Sequence, residues 1–367
     1  MKLRYKIGGA VLTVLAVVVI AAAVTLSRTD DCPTGPAYDA DGPTMKAYIY
    51  RCYGSPDVLE FADLEMPEPA ADEILVKVHA ASVNPFDWHH MRGLPYFMRI
   101  GTGIGAPQQV RLGADFAGVV EAAGSEVTGF AVGDRVFGGA SGAFGEYVTV
   151  RTGRSVARIP DEVSFEQAAA LPIAAITALQ ALRKHGRLEA GQKVLINGAS
   201  GGVGTFAVQI AKSMGAEVHG VCSTSKVELV RSLGADHVWD YKKENYTDGD
   251  ELYDVIVDMV GNHPIRSNLG VMKPDGRLVI VGGPKGNWLA PLKRPISAML
   301  MSKFVDQELG MMIAEFNPED LATLAQLVAS GDVVPKIDQR FPLAELPDAI
   351  RYSEHGRARG KIIINID

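Results

Sequence analysis

Cysteine is scarce: Cys32, Cys52 and Cys222 are the three in 367 residues. They show no metal-binding spacing and are too few for a disulfide scaffold, although Cys32 and Cys52 could pair if that end of the chain is exported. Clustered basic residues are missing too. With 36 Lys and Arg against 43 Asp and Glu, the formal net charge is -7, which argues against nucleic acid as a partner, because phosphate contacts need a basic stripe. No internal repeat is present. The hydrophobic share of 47% and charged share of 22% are ordinary for a globular protein. The length exceeds what one core usually serves, so two domains are expected.

One stretch organises the rest. Lys193 to Asn197 is an apolar, strand-like run, and Gly198-Ala199-Ser200-Gly201-Gly202-Val203-Gly204 follows as a turn. Val203, Phe206, Ala207, Ile210 and Ala211 then recur at helical spacing, and Glu217 to Val221 is a second apolar run. Strand, glycine turn, helix and strand make a βαβ unit of a parallel sheet. Gly201 and Gly202 let backbone N–H groups approach a pyrophosphate, Gly204 lets the helix pack close to the sheet, and the helix N-terminus faces the phosphates. A dinucleotide is the expected ligand.

An acid is absent where it would select NAD. The second strand ends in Cys222-Ser223-Thr224-Ser225-Lys226, with no carboxylate for the ribose hydroxyls; Glu217 sits at the strand's far end. Ser223 and Lys226 suit a 2′-phosphate instead, so the cofactor is read as NADPH.

The departure from ordinary composition is Gly8 to Leu26, which carries no charged side chain. As a helix it would span about 28 Å, enough for the hydrocarbon core of a bilayer. It is an uncleaved anchor, a cleaved signal peptide or a buried helix, and the anchor is preferred because the run is long for a signal. Lys2, Arg4 and Lys6 precede it, which would keep the N-terminus in the cytoplasm and send the enzyme across. NADPH is a cytosolic cofactor, so the membrane side stays open.

The expected organisation is an anchor or signal segment over 1–26, a Pro- and Gly-rich linker over 27–45 and a β-rich domain over 46–165. A nucleotide domain over 166–305 and a return to the first domain over 306–367 complete it. Short strands broken by Gly and Pro suit a small partly closed β-barrel. Strands alternating with helices after residue 190 suit a doubly wound α/β sheet.

The order of motifs resembles the medium-chain dehydrogenase/reductase superfamily over nearly all of 46–367. The segments that carry it are Ser82-Val83-Asn84-Pro85-Phe86-Asp87, Leu112 to Val120, Val132-Gly133-Asp134-Arg135-Val136, Ala170-Leu171-Pro172, the glycine turn and Arg357-Ala358-Arg359-Gly360-Lys361. The resemblance implies a GroES-like barrel beside a Rossmann domain, and a homodimer. In zinc alcohol dehydrogenases of this superfamily the metal ligands fall at positions that here look to be Asn84, Ala114 and Ile173, and no cysteine between Cys52 and Cys222 could form the structural zinc lobe. The chain therefore resembles the zinc-independent quinone and enone reductases, whose acceptors spread the incoming charge over a conjugated system. A cofactor-binding sensor with little turnover and an alcohol dehydrogenase-type activity are the rivals.

From the same resemblance, Asn84, Asp87 and Tyr96 are the residues expected at the reacting centre, with His89 and His90 read as solvated or packed. Thr177, Ala199 to Gly204, Gly282 and Lys361 are expected at the cofactor, and Ser223, Lys226 and Tyr241 at its 2′-phosphate. No metal is expected.

Overall fold

The structure, a computed structural model, describes residues 2–34 and 42–366, with side chains described for residue 13 and from residue 15 onward. The linker foreseen over 27–45 therefore lies partly outside the described residues, at 35–41. Helix α1 (Lys2–Ser27) covers the apolar run. Among the described residues no helix is long and apolar enough to cross a membrane. Leu15, Val17 to Ile20 and Val24 are exposed on α1. The base of the helix is tied to the first domain. Arg99 donates to Leu26 O at 3.2 Å, to Arg28 O and to Thr29 Oγ1. Asp30 N–H donates to Gly105 O at 2.9 Å, and a disulfide joins Cys32 to Cys52.

The first domain is built from β1 (Thr44–Tyr50), β2 (Leu59–Glu65), β3 (Glu73–Val83), α2 (Pro85–Arg92), α3 (Arg99–Thr102), β4 (Asp115–Ala123), β5 (Arg135–Gly139), β6 (Tyr147–Arg151) and β7 (Val156–Arg158). The second follows with α4 (Phe165–Ala169), α5 (Pro172–Gln180), β8 (Lys193–Asn197), α6 (Gly202–Ser213), β9 (Glu217–Cys222), α7 (Val227–Ser232), β10 (His237–Asp240), β11 (Tyr253–Asp258), α8 (Ile265–Gly270), β12 (Met272–Ile280), α9 (Ala290–Met301), β13 (Glu308–Met311) and α10 (Pro318–Ala329). The chain ends with β14 (Ile337–Pro342), α11 (Leu346–Glu354) and β15 (Lys361–Asn365).

Strand composition matches the cover each sheet receives. In the first domain β1 and β2 pair antiparallel, and the larger sheet runs β14-β15-β3-β4-β5-β7 with β6 on β3. Ile74, Val76, Phe116, Val136, Phe144, Ile362 and Ile364 fill the barrel core. In the second domain all six residues of β11 are buried, as a strand covered by helices on both faces requires. The sheet order is β10-β9-β8-β11-β12-β13, parallel throughout. The chain moves outward from β8 through β9 and β10, then crosses to β11 on the other side. The crevice at this switch point therefore opens at the carboxyl ends of β8 and β11.

The return to the barrel begins later than residue 306. β13 still pairs with β12, and Leu321, Leu324 and Ala325 of α10 pack into the same core as α5 and α6, because the apolar stripe of α10 has the nucleotide domain beneath it. β14 makes the return. The elements not foreseen include β2, whose residues are half-exposed or exposed apart from Leu64, α9, which carries Pro295 inside it, β13, and the short elements β7, α8, β14 and α11.

Candidate active site

At the crevice, Gly204 has no room for a side chain: a Cβ there would lie 2.1 Å from Gly198 O, so α6 could not start so close to β8. Gly201 and Gly202 differ. A Cβ on either would meet nothing nearer than 3.4 Å, so the outer side of the turn is open to a ligand that needs backbone contact. Ala199 N–H is already used by Val221 O at 3.1 Å. The N–H groups of Gly202, Val203 and Gly204 open α6 and have no carbonyl one turn back to meet, which leaves them available to an anion. Ala199 and Ser200 are buried and contribute shape. These residues fit a dinucleotide.

Further along the same edge, Ser223 precedes the turn Thr224–Lys226, and Tyr241 N–H donates to Cys222 O at 3.1 Å. Lys226 Nζ donates to Ala358 O at 3.0 Å, which brings the segment before β15 over the nucleotide domain. Burial and the neighbouring Arg359 pull the Lys226 pKa down. Arg359 is a second cation here that the sequence reading did not single out. Tyr241 is half exposed beneath Lys242. Gly282 sits where a Cβ would press on Met259 O at 2.3 Å, so its residue type follows from strand-end packing.

Asp258 and Asn197 are the last residues of β11 and β8. Asn197 Nδ2 donates to Asp258 Oδ1 at 2.9 Å, as do the N–H groups of Val260 and Gly261 at 3.1 and 2.9 Å. Arg294 of α9 pairs with Asp258 Oδ2 and donates to His263 O. Together they fix the loop on the floor of the crevice.

In the first domain, Asn84 follows β3 and caps α2, with its side chain fully engaged. Its Nδ2 donates to Asp115 Oδ2 at 2.8 Å and to Ser82 O at 3.3 Å, and its Oδ1 accepts from Lys361 Nζ at 2.6 Å. Lys361 also reaches Asp115 Oδ2 at 3.3 Å, and Asp115 Oδ1 accepts from Ile173 N–H at 3.0 Å. A zinc ion does not fit this donor set: the Asn84 amide is committed, Ala114 offers no ligand atom, and Ile173 uses its N–H on a carboxylate. Thr177 turns its hydroxyl into its own helix, donating to Ile173 O at 2.6 Å.

Asp87 is buried behind Asn84. Its Oδ2 accepts from Asn84 N–H at 2.7 Å, while Oδ1 has no partner among the described residues. Burial is the chief cause that pushes its pKa up to about 7, with Asp115 adding to the rise and the Asn84 and Gly113 N–H groups and Lys361 opposing it. A carboxyl whose folded pKa lies above its unfolded value of about 4 holds extra protons in the native state, so its own contribution to stability is full below pH 4 and is lost as pH rises toward 7. Asp87→Asn should flatten that part of the stability curve, measured by urea unfolding between pH 4 and 8. An unchanged slope would assign it elsewhere.

The Tyr96 ring is tilted against Trp288 at 4.7 Å and lies under Arg99 at 4.8 Å. A cavity of about 1190 Å³ lies beside α2, lined by first-domain residues such as Tyr50, Phe86, His90, Arg111 and Ala114, with Glu315 and Phe316 joining from the connection between β13 and α10. His90 belongs to the wall of this cavity and packs on the Phe86 ring at 3.9 Å, and its Nδ1 donates to Phe86 O at 2.9 Å, so the proton sits on Nδ1 when the ring is neutral. Burial lowers its pKa. His89 bonds to Leu94 O and stacks on Trp88, as a packed histidine does. Tyr50 lies in β1, a strand with no motif to single it out. Burial raises its pKa, so it stays protonated.

Two family profiles match the chain: an alcohol dehydrogenase GroES-like domain over residues 70–161 and a zinc-binding dehydrogenase over 233–364. The chain is 35% identical to a 2-methylene-furan-3-one reductase of Solanum lycopersicum over 339 residues, covering 88% of this chain and 79% of the relative. It is 33% identical to a chloroplastic NADPH-dependent alkenal/one oxidoreductase of Arabidopsis thaliana, covering 87% of this chain and 79% of the relative. The structure of a quinone oxidoreductase from Coxiella burnetii superposes with a TM-score of 0.79 at 29% identity, covering 89% of this chain and 100% of that one.

Proposed function

The chain belongs to the medium-chain dehydrogenase/reductase family, and on that premise we propose that it is a zinc-independent reductase passing hydride from NADPH to a quinone or an α,β-unsaturated carbonyl. The observation that carries this reading is the fate of the metal-ligand positions: Asn84 and Ile173 are bonded into the Asp115 network, and Ala114 has nothing to offer. Hydride addition to a conjugated acceptor spreads charge over several atoms, so the acceptor needs positioning more than a cation at one oxygen. The bound dinucleotide supplies the hydride. The chain holds the phosphates at the start of α6, walls the acceptor with Phe86 and Phe316, and offers a weak donor at Tyr50.

Preference for NADPH is supported by Ser223 and Lys226 with Arg359 beside them, and by the lack of an acid at the end of β9. A single N-terminal membrane pass is supported by the uncharged run 8–26 and by the clamp of Arg99 on the base of α1. Dimer formation is supported by β13, which leaves one edge of the nucleotide sheet unpaired within the chain.

The test is NADPH consumption by the full chain in phospholipid vesicles after EDTA treatment, with 1,4-benzoquinone and a simple enone as acceptors. Rapid consumption, much slower with NADH, is the expected result; binding without consumption by any quinone or enone sinks the reductase. Protein that leaves the vesicles on a carbonate wash sinks the anchor, and a monomer mass by light scattering sinks the dimer.

A further inference from the structure

Lys361 is the buried cation of the molecule's central polar cluster, with its side chain 2% exposed. Its ammonium donates to Asn84 Oδ1 at 2.6 Å and Asp115 Oδ2 at 3.3 Å, while Asp115 takes further bonds from Ser82 Oγ, Asn84 Nδ2 and Ile173 N–H. The lysine stem runs under the glycine turn, where a Cβ on Gly202 would lie 3.4 Å from its Cδ. The ends of three adjacent strands of the barrel domain thus meet the first residues of two helices of the nucleotide domain: Asn84 just after β3, Asp115 of β4 and Lys361 of β15 against the heads of α5 and α6. Residues 277 and 246 positions apart in sequence make these contacts.

An ammonium buried this way costs desolvation energy that a hydrophobic residue of the same shape would not. Burial pulls the Lys361 pKa down and Asp115 opposes that fall. Packing alone would be served by Met or Leu. Charge at this point does something that packing does not: it holds the Asn84 amide in one of its two orientations and draws Asp115, with the Ile173 N–H, against the barrel.

We propose that Lys361 is a positioning residue, an internal cation that sets the cofactor-facing wall of the cleft by pinning Asn84 and Asp115 to the heads of α5 and α6. Lys361 is enclosed and acts through these neighbours, so it touches neither hydride donor nor acceptor. The inference rests on the reading of the cleft as a dinucleotide site.

Lys361→Met keeps the stem and removes the charge, leaving Asp115 as a buried carboxylate without its cation. NADPH affinity, read by nucleotide fluorescence on the full chain, should weaken about 10-fold or more at pH 8, and kcat should fall with little change in the quinone KM. Acidification should restore part of both, because a proton on Asp115 removes the unpaired charge. Asp87 also faces this cluster and titrates, and Tyr50 lies near Asp87. The Lys361→Met/Asp115→Asn double variant contains both, so the difference between single and double isolates Asp115: the double should be impaired yet lack the acid recovery.

An unaltered NADPH affinity and kcat in Lys361→Met overturn the proposal, as does a loss that is the same at every pH in both variants. Should the single variant fail to fold, the double decides, and wild-type affinity and turnover in it overturn the proposal. A wild-type chain that does not bind NADPH overturns this proposal and the functional reading together; wild-type binding with an unaltered Lys361→Met overturns this proposal alone.

Discussion

Arg294→Met should lower the unfolding free energy by roughly 3–5 kcal/mol, the usual cost of stripping one partner from a buried ion pair. Asp258 is fully buried, with its side chain 0% exposed and that of Arg294 6% exposed. Its Oδ1 already takes three donors, from Asn197, Val260 and Gly261, so none is left to replace the guanidinium on Oδ2. The carboxylate must then stay charged without its cation or take up a proton. Either way the loop from Asp258 to His263 loses its tie to α9, and because that loop floors the crevice, NADPH affinity should fall with stability. Adding Asp258→Asn to the variant removes the orphaned charge and should recover much of the loss, a coupling that a double-mutant cycle in urea reads directly. A single-variant loss below about 1 kcal/mol would mean that water reaches Oδ2 and that the pair is not what holds the loop.

The nucleotide half of the molecule was legible because its signals are local. Strand, glycine turn, helix and strand lie within about 30 consecutive residues, and the steric demand at Gly204 is made by Gly198, on the same short turn. The first-domain site was legible only as a set of residue types. That Asn84 and Asp87 are candidate site positions could be taken from a motif, but the occupation of the Asn84 amide depends on Lys361, 277 residues downstream, and no spacing rule reaches that far. The surroundings of Tyr96 show the same limit: Arg99 over its ring is three residues on and local, but Trp288, tilted against it, arrives from a segment whose placement is tertiary. Phe316 escaped notice for the same reason, since it reaches the cavity from the connection between β13 and α10. Likewise the position of the domain return depended on where the stripe of α10 finds cover, and an amphipathic helix does not say which core it will join.

Lys226→Glu should raise the Michaelis constant for NADPH by about 100-fold while changing that for NADH by no more than a few-fold. A charge-assisted bond to a phosphate is worth about 1.5–3 kcal/mol, each ~1.4 kcal/mol is tenfold, and the new carboxylate adds repulsion to the loss. Arg359 would remain as the nearby cation, but it lies close to Asp338, whose Oδ2 accepts the Arg359 N–H at 2.9 Å and the Tyr352 hydroxyl at 2.7 Å. The introduced carboxylate would then share the site with that of Asp338, so Arg359 could not offset both. Two controls separate charge from shape. Lys226→Met should fall between wild type and Lys226→Glu for NADPH, since it removes attraction without adding repulsion. Arg359→Met should weaken NADPH and spare NADH in the same sense, because its partner would be the same phosphate. Lys226 also donates to Ala358 O, so loss of that bond alone could loosen the segment before β15. That effect would act on both dinucleotides alike. Equal losses for NADPH and NADH would therefore reduce Lys226 to a tether for the 356–360 segment and leave NADPH preference without its residue.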